Sequence, residues 1–169
     1  MAASKFTAES VKELYQRHGA ALAAYGCCCG LDFGTAEDVV QQLFLKLLQS
    51  GMPAVSVGYL YRAVRNASLN YHRDRRREAA MPEEEIGFTH ATAGHVEVLE
   101  LQSALRELPH EQREIVFLRI WSGMTLQEIA DMTELSLNTV ASRYRYALAK
   151  LRERLGDWVE KGKAQNAKG

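Results

Sequence analysis

Thr125-Leu126-Gln127-Glu128-Ile129-Ala130-Asp131-Met132-Thr133-Glu134-Leu135-Ser136-Leu137-Asn138-Thr139-Val140-Ala141-Ser142-Arg143 decides the fold of the C-terminal half. Thr125 with Glu128 three places on is a capping box, opening a short helix to about Thr133. Glu134-Leu135-Ser136 reads as a tight turn, and a second helix follows to about Leu155. Short capped helix, turn and longer basic helix make a helix-turn-helix. Ile129, Ala130, Leu135 and Val140 supply the apolar contacts that fix the interhelical angle, and Ala130 must be small for the helices to approach. Ser136, Asn138, Thr139, Ser142, Arg143 and Arg145 then cluster at the start of the second helix. Short polar side chains and Arg suit a helix end placed in a major groove, where Arg bonds G at two atoms and Asn bonds A. The same pattern fits a plain hairpin with a solvated face. Cap, turn and polar helix start together favour duplex DNA.

Upstream, the preceding segments are also helical. His110 to Trp121 forms one helix, stopped by Ser122-Gly123, and Val96 to Glu107 another, stopped by Leu108-Pro109. From Ala79 to His95 there is no helical or strand period, and Pro82, three consecutive Glu, Gly87 and Gly94 mark a linker. Before it, Ser56 caps a long helix from Val57 to Arg77, with Leu60, Val64, Ala67 and Tyr71 as its buried stripe. Thr35 caps a helix to about Gln49, with Val40, Leu43, Phe44, Leu47 and Leu48 on its core side and Gly34 in the connection before it. Thr7 caps the first helix, whose face is Val11, Leu14, Tyr15, His18, Leu22 and Tyr25, and Gly30 stops it. The expected fold is therefore all-α. It has two small helical domains, 1–78 and 96–155, an acidic flexible linker at 79–95 and a polar, fraying tail at 156–169.

Composition bounds the function. The 169 residues carry 21 basic and 21 acidic side chains, yet the layout is uneven. Tyr59–Arg77 has a local net charge of +5, Glu78–Glu100 of −6 and Leu137–Leu155 of +4. Two basic segments flanking an acidic one point to two polyanion-binding surfaces joined by a spacer. No apolar run is long enough to span a bilayer, and the N-terminus lacks the order of a signal peptide, so a cytoplasmic protein is expected. Cys27, Cys28 and Cys29 lack zinc-site spacing and read as small helix-packing residues in a reducing compartment. The five histidines have no metal spacing and no nucleophile–base pair is suggested, so neither enzyme nor cofactor is expected.

The helix from Tyr59 interleaves aromatics with bases: Tyr59, Arg62, Arg65, Asn66, Asn70, His72, Arg73 and Arg76. Cations for phosphates and rings for exposed base faces are what unpaired nucleic acid requires. Tyr71 continues the apolar stripe and reads as core. On the Thr35 helix, Asp38, Gln41, Gln42 and Gln49 surround Leu45, which suggests a protein-binding patch as readily as a solvated face.

Taken in order, these residues resemble the extracytoplasmic-function (group 4) sigma factors of bacterial RNA polymerase, from about Val11 to Leu155. Ala36-Glu37-Asp38-Val39-Val40-Gln41-Gln42-Leu43-Phe44 is similar to that family's polymerase-clamp-binding helix. Tyr59-Leu60-Tyr61-Arg62-Ala63-Val64-Arg65-Asn66 is similar to its strand-opening, −10-reading helix. Leu108-Pro109, Arg113, Glu128-Ile129-Ala130 and Thr139-Val140-Ala141-Ser142-Arg143 are similar to its −35-reading domain. The family often has Trp at Tyr59, Glu at Gln42, Asp at Asn70, Gly at Asn138, Lys at Ala141 and Arg at Tyr146.

The resemblance implies a transcription initiation factor. Asp38, Gln41, Gln42, Phe44 and Leu45 would bind core RNA polymerase, the Tyr59 helix would hold the melted −10 strand, and the helix-turn-helix would read the duplex −35 element. It also implies an anti-sigma partner and a loop near 52–58 that helps hold a flipped base. A stand-alone helix-turn-helix regulator, or a sigma mimic that only sequesters an anti-sigma factor, are the alternatives. No GxxxxGK[ST] phosphate loop is present, and none is needed if strand binding drives opening. A linker of some 17 residues reaches at most ~55–60 Å, which covers sites one or two duplex turns apart.

Overall fold

The computed structural model describes residues 8–50, 54–78 and 103–166. The expected cap Thr7 and the expected linker lie outside the described residues. The described residues hold helices and no strand. The chain divides into two compact units, Met1–Thr89 and His90–Gly169.

In the first unit, α1 (Ala8–Cys28), α2 (Phe33–Ser50) and α3 (Val57–Glu78) pack against one another. Gly30 ends α1 as expected, at φ 95°. Gly30 N–H donates to Cys27 O and Leu31 N–H to Gly26 O, which closes the helix in a Schellman motif. The next helix starts earlier than Thr35. Asp32 is its cap: one carboxylate oxygen accepts from Thr35 N–H at 2.9 Å, the other from the Thr35 hydroxyl at 2.6 Å. A carboxylate complements the positive helix end better than a hydroxyl, so Thr35 becomes a donor inside the first turn and Gly34 joins the helix. These bonds hold the Asp32 carboxyl below its ordinary pKa. The close passage of α1 over α2 rests on small residues: a Cβ at Gly26 would lie 3.0 Å from that of Ala36.

Ser56 caps α3 as expected, its hydroxyl accepting from Tyr59 N–H at 3.1 Å. The buried stripe is Leu60, Tyr61, Val64 and Ser68, so Ser68 takes the place expected of Ala67. Its hydroxyl donates to Val64 O at 2.9 Å, which removes the cost of burying it. Tyr61 meets Tyr25 edge-on at 5.2 Å, a pair worth ~0.5–1.5 kcal/mol beyond burial. Cys27, Cys28 and Cys29 are buried in this core as thiols outside any disulfide, as expected. Burial, then Asp32 and Glu37, push the Cys27 thiol pKa up, which favours the protonated thiol.

The second unit contains a helical turn at 103–106, then α4 (His110–Ile120), α5 (Leu126–Thr133) and α6 (Leu137–Asn166). The rest of the expected helix from Val96 lies outside the described residues. Ala104, Leu108, Val116, Ala147 and Leu151 form one core cluster. Arg113 is buried, and its Nη2 donates to Arg106 O and Leu108 O, clamping the Leu108-Pro109 turn. It therefore shapes the domain from within. The final helix does not stop at Leu155 but continues to Asn166. Gly156 keeps a negative-φ backbone there, and Glu160, Lys161, Lys163, Ala164 and Gln165 beyond it are good helix formers, so Gly156 and Gly162, each costing ~1 kcal/mol, do not end the helix.

Candidate nucleic-acid and polymerase interfaces

At 3.6 residues per turn, Tyr59, Arg62, Asn66, Asn70 and Arg73 lie along one side of α3. All five are exposed, and they lie opposite Leu60, Val64 and Ser68. Arg65 and Arg76 flank this stripe. Leu69 completes it at 52% exposure and was not among the expected residues. An exposed Leu amid bases and amides was the signal that could have found it. His72 does not share the stripe: its ring lies 3.0 Å from Cys29 O, toward α1. Tyr71 packs against Cys27, Leu31 and Ala36, as its core reading anticipated, and accepts a hydrogen bond from Arg75 Nη1 at 3.1 Å.

On α2, Asp38, Gln41, Gln42 and Leu45 share one exposed face. Phe44 is 4% exposed and meets Tyr15 edge-on at 5.2 Å, so it floors this surface more than it projects from it. Two residues expected in the core are at the surface, Leu48 at 47% exposure and Tyr15 at 43%. Together with Val11, Lys12, Gln41, Phe44 and Leu45 they line a shallow apolar groove of about 340 Å³ between α1 and α2. A groove of aliphatic and aromatic side chains with one amide, Gln41, and one base, Lys12, in its lining has the composition of a protein-binding surface.

The helix-turn-helix is built as expected. Thr125 Oγ1 accepts from Glu128 N–H at 3.2 Å, while Thr125 N–H donates to Glu128 Oε2 at 2.7 Å. The Thr125 N–H and, at 2.8 Å, the Thr125 hydroxyl both donate to Glu128 Oε2 and hold that carboxyl below its ordinary pKa. The turn depends on Glu134 in the left-handed region, φ 59°, with Leu135 N–H donating to Ala130 O. Ile129, Ala130 and Val140 are buried between the helices. Ser136 is the cap of α6: its hydroxyl accepts from Thr139 N–H at 3.1 Å and bonds the Thr139 hydroxyl at 2.7 Å. Its first task is thus to fix the helix start. Asn138 and Arg145 are exposed, and Ser142 lies half-buried between them on the same side. Thr139 and Arg143 are half-buried flankers. Tyr146, not anticipated as a site residue, is 58% exposed beside Ser142 and Arg143, with the Arg145 guanidinium 5.5 Å from its ring centre.

No cluster of His, Cys, Asp and Glu able to hold a metal occurs among the described residues, and none of their helices is long and apolar enough to cross a membrane.

The chain is similar to known proteins in sequence and fold. The model of sigma-70 region 2 matches residues 14–78 and that of sigma-70 region 4 residues 99–151. The chain is 30% identical to the RNA polymerase sigma factor SigV of Bacillus subtilis over 71% of this chain and 75% of that protein. It is also 30% identical to the ECF RNA polymerase sigma factor EcfG of Rhodopseudomonas palustris, over 69% and 68% respectively. Among solved structures, CnrH in complex with the cytosolic domain of CnrY is similar at TM-score 0.60 and 28% identity, covering 89% of this chain and 90% of that one. The sigma factor RpoE of Bartonella quintana, in complex with the anti-sigma factor NepR, shares the fold at TM-score 0.65 and 24% identity, covering 86% and 98%. With both sigma-70 regions present in order and full-length relatives matched over most of their length, the chain belongs to the extracytoplasmic-function sigma factors of RNA polymerase.

Proposed function

We propose that this sigma factor divides initiation among three surfaces, within domains at 1–78 and 96–155 joined by residues 79–95. The α1–α2 groove and the face of Asp38, Gln41, Gln42 and Leu45 dock on core polymerase, over the floor made by Phe44. Tyr59, Arg62, Asn66, Asn70 and Arg73, flanked by Arg65 and Arg76, hold the melted −10 strand. The start of α6 reads the −35 duplex through Asn138, Ser142, Arg143 and Arg145, with Ser136 and Thr139 setting that helix end. The protein acts in the cytoplasm, where the polymerase and its promoters are. It contributes no covalent chemistry, because captured single strand offsets part of the cost of unpairing: a stacked base is worth ~1–3 kcal/mol.

The observation that carries the reading is the continuous exposed stripe on α3, opposite that helix's core side, in a chain that also holds a capped helix-turn-helix. A stand-alone duplex-binding regulator would leave that stripe without a task, and a sigma mimic would leave the polar start of α6 without one. An anti-sigma partner is proposed because RpoE is seen in complex with the anti-sigma factor NepR, and CnrH with the cytosolic domain of CnrY. Run-off transcription tests the proposal. Added to core polymerase, the protein is expected to give promoter-dependent transcripts. A shift of duplex DNA with no transcript would establish the stand-alone regulator instead.

A further inference from the structure

His72 leaves the DNA-facing stripe for a different partner. Its Nε2 lies 3.0 Å from the carbonyl oxygen of Cys29, 43 residues away in sequence. A carbonyl only accepts, so the ring carries a proton on Nε2 and donates it. The acceptor is well placed. The closure of α1 engages the carbonyls of Tyr25, Gly26 and Cys27 through the N–H groups of Cys29, Leu31 and Gly30. The Cys29 carbonyl, just past the helix's last residue, meets His72 of α3 instead, at the negative end of the α1 dipole.

The adjacent residue strengthens the attachment. Tyr71 packs on Cys27, Leu31 and Ala36, and the Tyr71 and His72 rings meet edge-on at 5.6 Å. Arg75 bonds the Tyr71 hydroxyl and stands 6.0 Å from its ring centre. Two successive side chains thus grip the α1–α2 corner at the point where α3 turns strongly basic, at Arg73, Arg75, Arg76 and Arg77.

We propose that His72 is a positioning residue for strand capture: by tying α3 to the Cys29 carbonyl it sets the direction in which Arg73 and Arg76 meet the −10 strand. This rests on the −10 assignment made above.

The test uses the full chain bound to core polymerase and measures affinity for a single-stranded −10 oligonucleotide and, separately, for −35 duplex. His72→Leu fills the space without a donor and is expected to lower single-strand affinity about fivefold, the weight of one hydrogen bond. His72→Gln, which keeps an N–H at similar reach, should stay within about twofold of the parent. Affinity for −35 duplex should not change. The decisive step repeats His72→Leu in an Arg73→Ala/Arg76→Ala background, where its effect should shrink below about twofold. An equal loss in both backgrounds would mean that His72 touches DNA itself, and would overturn the proposal. So would unchanged strand binding in His72→Leu, or a His72→Gln variant as weak as the Leu variant. If His72→Leu does not fold, His72→Asn, polar but too short to reach Cys29, replaces it with the same expectations. Failure of the unaltered protein to bind the strand at all would instead overturn the −10 assignment.

Discussion

The surfaces proposed for the first unit run along helix sides, whereas the one proposed for the second is a helix end. On α3 the exposed residues run from Tyr59 to Arg73, four turns of cations, amides and a ring, and α2 adds apolar Leu45 and Leu48 beside the groove. On α6 the polar residues that can enter a groove are concentrated between Asn138 and Arg145, and caps at Thr125 and Ser136 fix their placement. A flexible single strand can follow an extended stripe that grips backbone and stacks bases. A stiff duplex demands a few side chains held at a defined angle. The difference predicts tolerance on α3, where losses add gradually, and intolerance at the start of α6, where one geometry serves.

The largest effect that separates the units is expected from Asp38→Arg. Charge reversal at the polymerase face should weaken core binding on the order of a hundredfold, read by competition with a labelled sigma factor, and leave isolated −35 duplex binding unchanged. Equal loss of both would erase the distinction. Next, Arg62→Ala with Arg73→Ala should reduce −10 single-strand affinity on the order of thirtyfold and flatten its log–log salt dependence by about 1.4, because two phosphate contacts are removed. Asn138→Ala should cost about tenfold at one −35 base pair and little at the others, measured across a set of single-substituted duplexes. A uniform loss would mean that Asn138 grips the backbone, as is proposed for the α3 arginines.

Smaller effects test the caps. Thr125→Ala should destabilise the second unit by about 1 kcal/mol in thermal unfolding. Both Asp32 and Glu128 have depressed carboxyl pKa values, because each accepts hydrogen bonds at a helix start. Their contribution is therefore complete above the ordinary carboxyl range and is lost as pH falls below about 4, where each takes up a proton. Acid unfolding of Asp32→Asn and Glu128→Gln should accordingly show less pH dependence than the parent. Glu134→Gly should be the smallest change, a gain of up to about 1 kcal/mol, because Glu134 occupies a left-handed conformation that Gly adopts freely.

Much of this architecture was legible in the sequence where local chemistry is self-contained. The Thr125–Glu128 box, the Ser56 cap and the Gly30 stop each depend on a few neighbouring residues. Most of the exposed α3 residues were picked out by the interleaving of aromatics with bases, although their alignment into one stripe, with Leu69 in and His72 out, appears only in the folded helix. Thr35 misled because Asp32, three residues earlier, offers two acceptor oxygens to the same donors, a competition that spacing does not rank. Tyr15 and Leu48 fit the apolar period of their helices, yet the period specifies a face without saying how far the neighbouring helix covers it. Ser68 was invisible as core because its hydroxyl is satisfied within its own helix. His72 was assigned to DNA because it sits among arginines, and its bond to a carbonyl 43 residues away exists only once α1 and α3 are packed.

The division between strand capture and duplex reading is tested most directly by permanganate footprinting of a promoter complex formed by the full chain and core polymerase. Thymines of the −10 element should become reactive with the unaltered protein. With Arg62→Ala/Arg73→Ala they should stay protected while the −35 footprint persists. Reactive thymines in that variant, or loss of the −35 footprint in step with them, would contradict the account.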